Sequence, residues 1–141
     1  MYEKTIKFKL EKKFFNNEDY LENKYIYEWL TLARKNFLES LGIDIDSLSN
    51  YGFYYSDNEI KISVVKNIKY RVKDLFIKTI LSKHSGIKTV FNYEFFIDGD
   101  IVIKATTSHS VLRFDNVRPV RMDRYLPKWD LILKDVVNNE L

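Results

Sequence analysis

The chain has 141 residues, 45% apolar and 16% aromatic, which suits a single domain spanning 1–141 with a real core and is small for two. Its net charge of +3 falls short of the dense basic stripe of a nucleic-acid binder, and no apolar run approaches a membrane span. The absence of cysteine excludes disulfides, thiolate nucleophiles and thiolate metal sites.

Residues 3–14 read as a first strand, because Ile6, Phe8 and Leu10 alternate with Lys7, Lys9 and Glu11. A polar loop over 16–22 follows. The period then changes to helical over 23–41, where Ile26, Trp29, Leu30, Ala33, Phe37 and Leu41 form one broad apolar stripe. Gly42 ends this helix, since it tolerates left-handed backbone angles. Residues 43–58 read as a polar connection with a short helical turn near Ile45–Leu48. Alternating segments at 59–69, 74–83, 88–98 and 100–113 predict an antiparallel meander, with a tight Asp98-Gly99 turn and a weaker turn at Ser85-Gly86. Pro119 and Pro127 lie beyond the last strand, and Pro127 opens a predicted C-terminal helix carrying Trp129, Leu133 and Val136. One long helix beside an antiparallel sheet is an α+β arrangement.

The segment FNNEDYLENKYIYEWLTLAR, Phe15 to Arg34, resembles the signature of the hotdog-fold acyl thioesterases, of the 4-hydroxybenzoyl-CoA thioesterase type. NIKYRVKDLFIKTIL, KTVFNYEFFID, GDIVIKATTSHSVLRFD and VRPVRMDRYLP follow in that family's order and spacing. The resemblance implies a curved antiparallel sheet wrapped around the long helix, with hydrolysis of an acyl-CoA or acyl-carrier-protein thioester. It also implies a homodimer or dimer of dimers, with sites at the interface and no cofactor. The family pattern is roughly Asp-x-x-Gly-x-Val-x-x-x-x-Tyr. Here Asn16 stands at the Asp position and Asp19 at the Gly position. The enediyne polyketide thioesterases resemble this chain in pairing such an Asn with a helical Arg, here Arg34. That likeness points to release of a polyketide or β-ketoacyl product.

Residue by residue, the resemblance places a backbone N–H at Asn23 against the thioester oxygen, aided by the positive end of the helix. Asn is also a favoured capping residue. Asn16 is neutral, so it can orient water or a carbonyl but cannot act as base or nucleophile. It can equally be a turn residue. Arg34 is expected to meet either a polar substituent of the acyl group or a carboxylate of a neighbouring subunit. Tyr27 lies on the same helix margin. Asp19 is the alternative acid, by a shift of the loop, and is otherwise an exposed loop charge. Lys83, His84, Arg118 and Arg121 are candidates for the phosphates of coenzyme A or for an acidic carrier. His84 and His109 belong to no metal-ligand pattern, so no metal is expected. The alternating N-terminus lacks a signal peptide's apolar block, and the expected compartment is the cytoplasm. The rival to an enzyme is a non-catalytic protein that binds acyl thioesters or serves as a structural partner.

Overall fold

The computed structural model describes residues 2–139. Strand β1 (Glu3–Lys9) keeps the alternation read from the sequence, but it ends earlier than expected. At Leu10 the backbone turns to donate to Lys73 O (2.9 Å), and Lys12–Phe14 form a 3-10 turn. Helix α1 (Asn23–Ser40) buries Ile26, Trp29, Leu30, Ala33 and Phe37 of the expected stripe and Leu38 besides, whereas Leu41 falls just past the helix and is only partly buried. Gly42, at φ 79°, lies just past it.

The remaining strands are β2 (Phe53–Val64), β3 (Asp74–His84), β4 (Thr89–Ile97), β5 (Asp100–Arg113) and β6 (Asn116–Pro119). All pairings are antiparallel, in the order β1-β3-β4-β5-β2, with β6 on β5. Asp98 and Gly99, at φ 53° and 81°, make the expected tight hairpin turn. The apolar side chains of β3, β4 and β5, among them Ile77, Phe91, Tyr93, Phe95 and Ile103, join those of α1 in one core. Phe37 meets Phe91 edge to face at 5.5 Å.

Two expectations are corrected. β2 begins at Phe53 and not at 59, so polar Ser56 and Asp57 belong to the strand; the register slips between Asp57 and Glu59, around Asn58. This strand sits at a sheet edge, where polar side chains are tolerated. It also stops at Val64 and not at 69, because Val65 and Lys66 both donate to Val102 O and lead the chain off the sheet. Pro119 lies inside β6 and not beyond the last strand; an edge strand has no need of its missing N–H. Helix α2 (Met122–Tyr125) precedes the predicted C-terminal helix α3 (Pro127–Val137). No described helix is long and apolar enough to cross a membrane.

Candidate active site

The loop before α1 is built around Asn16. Its side-chain oxygen accepts from the backbone N–H groups of Glu18 (2.9 Å) and Tyr20 (3.0 Å), and its own N–H donates to Tyr20 O (2.8 Å). That oxygen is therefore committed to the loop. Two amide N–H donors remain, so Asn16 can grip a carbonyl oxygen and cannot take a proton. Asp19 adopts φ 66°, the left-handed backbone that explains why a glycine suits this position of the family pattern. The crossover after β2 clasps the loop: Leu21 N–H donates to Ile68 O (3.2 Å) and Tyr70 N–H to Asp19 O (2.8 Å).

Asn23 is the first helical residue, and Glu22 holds the capping position without a side-chain cap bond. The capping role expected for Asn23 is thus not seen. Among the described residues, no acceptor faces the backbone N–H of Asn23 or Lys24. These open amides, at the positive end of an 18-residue helix, are free to donate to an oxygen that gains negative charge. Tyr27 lies half-exposed one turn on.

Arg34 does not share that environment. It is only 7% exposed and roughly 16 Å further along the helix axis. Its Nη1 donates to Tyr93 Oη (3.2 Å) and its Nη2 to Asp57 Oδ1 (3.4 Å). The carboxylate anticipated from a substrate or neighbouring subunit is here supplied by its own chain. His109 Nδ1 lies 3.0 Å from the same Asp57 oxygen, and its Nε2 lies 2.7 Å from Thr107 Oγ1, which in turn lies 2.8 Å from Tyr93 Oη. Burial and the nearby Arg34 charge push His109 down to about 4, although Asp57 pulls the other way. The imidazole is therefore neutral near pH 7. Its proton sits on Nδ1, because a bare nitrogen there would oppose both Asp57 and Ser56 O (3.3 Å). Arg34, Lys35, Leu38, Ile45, Tyr55 and Asp57 line a cavity of about 210 Å³ beside this cluster. Sequence reasoning missed Asp57 and His109, which are distant in the chain and carry no local motif.

The basic candidates lie elsewhere. Lys83 stands one residue before the end of β3, whereas the Asn16 loop adjoins the segment before that strand, so the length of β3 from Asp74 to Lys83, roughly 30 Å, lies between them. Lys83 lines an open groove of about 640 Å³ on the sheet face away from α1, together with Lys61 and Lys88. His84 is not available to a phosphate. Its ring is buried, with Nδ1 on Thr89 Oγ1 (2.9 Å) and Nε2 on Asp130 Oδ1 (2.7 Å). Burial raises Asp130, but the Lys134 ammonium at 2.7 Å and the His84 ring together hold its carboxyl below the ordinary range. Arg121 is exposed and doubly bonded to Asp123 (3.1 and 3.0 Å), and Arg118 is an exposed residue of β6. One chain therefore does not gather its candidates into a single site.

A curved antiparallel sheet around a central helix, entered through a loop that leaves the helix amides open, defines a hotdog-fold protein. Over 102 residues the chain is 26% identical to "Putative acyl-CoA thioesterase YneP" of Bacillus subtilis (strain 168), covering 72% of this chain and 73% of that protein. The DHNA-CoA thioesterase of Staphylococcus aureus has the same fold, with a TM-score of 0.90 at 22% identity over 99% of this chain and 95% of that one. The 1,4-dihydroxy-2-naphthoyl-CoA thioesterase Slr0204 of Synechocystis superposes with a TM-score of 0.81 at 11% identity, over 98% and 97% of the two chains. No protein-family model matches the chain.

Proposed function

We propose that this protein is an acyl thioesterase that hydrolyses an acyl-CoA. The observation that carries the reading is the pair of open amides at the start of α1, beside a loop pinned by Asn16. The Asn23 N–H holds the thioester oxygen as it gains charge, a contact worth roughly 3–4 kcal/mol in acyl transfer. The free amide hydrogens of Asn16 add a second donor. Tyr27 lies half-exposed beside the helix start, and Arg34 lines a separate cavity roughly 16 Å further along the helix, which would meet the acyl group bound by a neighbouring copy. Lys83, with Lys61 and Lys88 in the outer groove, offers positive charge to the phosphates of a carrier, and since this groove is distant from the Asn16 loop of its own chain it would serve the site of a neighbouring copy. The sequence likeness to YneP and the fold of the CoA thioesterases support this reading.

A panel of acyl-CoA, β-ketoacyl and acyl-carrier-protein thioesters, followed by free-thiol release, tests it. Asn16→Ala should lower kcat ten- to a thousandfold. Wild type with no hydrolysis above background on any member of the panel would sink the proposal. The second reading is a non-catalytic binder, favoured by one observation: Asn16 has no oxygen left for proton transfer. It predicts acyl-CoA binding without turnover.

A further inference from the structure

The proposed thioesterase has an oxyanion site without a base, and a half-exposed carboxylate without a task, Asp57, held by the buried Arg34 and His109. We propose that Asp57 is the general base of the reaction, and that it serves the helix start of a second copy of the chain paired along β2. This rests on the thioesterase reading.

The first support is the hydrogen-bond ring around Asp57. An arginine can only donate and a carboxylate can only accept, so every direction is fixed. Arg34 donates to Tyr93, Tyr93 to Thr107, Thr107 to His109 Nε2, and His109 Nδ1 to Asp57, while Arg34 also donates directly to Asp57. Both contacts to the carboxylate use Oδ1. Asp57 is about half exposed and borders the cavity, so Oδ2 is left to face a reactant. A carboxylate oriented through one oxygen by a buried arginine and a buried histidine, with the other oxygen open, suits a working site.

The second support is the edge of the sheet. β2 runs for 12 residues with one side unpaired, and it exposes Ile60 and Val64. An antiparallel self-pairing centred on Ile60 sets Glu59 of each copy opposite Lys61 of the other, on the outer face. Centring on either charged residue would oppose like charges. This pairing carries Asp57 of one copy alongside the end of β2 in the other. From there the second copy's crossover leads to Ile68, which is bonded to the site loop at Leu21. Within one chain, Asp57 belongs to the Arg34 end of α1, too far from Asn23 to act there.

In the reaction, the Asp57 carboxylate takes a proton from water as the water oxygen bonds the thioester carbon. The carbon–sulfur bond then breaks, and the thiolate leaves with the proton returned by Asp57. The products are a carboxylic acid and a thiol.

Subunit mixing tests the proposal. Asp57→Asn should lower kcat 10²- to 10⁴-fold and remove the acidic limb of the pH–rate profile. Mixing Asp57→Asn with Asn16→Ala, after exchange verified by tagged subunits, should restore activity to about a quarter of wild type, because random pairing rebuilds one intact composite site in half the dimers. Restoration also proves that the Asp57→Asn chain folds. Verified exchange without restoration overturns the shared site, and near-normal turnover by Asp57→Asn overturns the base. Wild type inactive on every thioester overturns the thioesterase reading itself, and the base with it.

Discussion

Asn16 has two separable duties. Its side-chain oxygen holds the loop, which leaves its amide hydrogens free for the proposed contact with substrate. Asn16→Asp keeps the acceptor, so its loop should stay in place, whereas Asn16→Ala should lose about 1 kcal/mol in urea unfolding. Equal losses in both variants would deny the acceptor role. His109 gives a pH prediction. Its imidazole titrates at about 4 in the folded protein and near 6.5 when unfolded. Between these values the unfolded chain binds the extra proton, so stability rises with pH and is lost as pH falls from about 6.5 toward 4. The loss is on the order of 3 kcal/mol. Urea titrations from pH 7 to 4 should show this slope in wild type and a shallower one in His109→Gln.

Helix α3 is fastened to the end of β3 by the buried His84–Asp130 pair, with Lys134 on the second carboxylate oxygen. Asp130→Ala strands a buried imidazole nitrogen and should cost about 3 kcal/mol. Hydrogen exchange should rise first in residues 127–137 while β3 to β5 stay protected; uniform exchange across the chain would speak against a local fastening. Periodicity revealed the elements whose faces differ most in polarity. Helix α1, β3, β4, β5 and α3 were legible to within a residue or so. β2 was not, because its Ser56-Asp57-Asn58 stretch looks like a loop until its partners are known. The same blindness hid the inner cluster. Asn16 and Asn23 were legible because the family pattern is local, whereas Asp57 and His109 meet only through tertiary folding. Lys83 and His84 are adjacent in sequence, yet one is exposed and the other buried, a difference that residue type does not carry.

At the scale of the molecule, the proposed pairing along β2 can be tested on the assembly. Ile60→Lys should convert a dimer to a monomer by sedimentation equilibrium, and Glu59→Lys should weaken it by setting lysine against lysine. Combining Glu59→Lys with Lys61→Glu should restore association, since the opposition of charges is only reversed. An unchanged dimer in Ile60→Lys would place the contact elsewhere. The Arg34 ring bears on the folding reaction as well. Its five members come from α1, β2, β4 and β5, and Arg34 and Tyr93 are 59 positions apart. The Tyr93–Thr107–His109 part lies within the β4–β5 hairpin, but the contacts of Arg34 and Asp57 close only when α1 and β2 have docked as well, so loop-closure entropy delays the completed ring to the end of folding. Arg34→Met should therefore speed unfolding and leave the refolding rate nearly unchanged, with a φ-value near zero. The ring then behaves as a late latch: a chain can reach the right shape before the chemistry is armed, and only the finished native state carries an oriented Asp57.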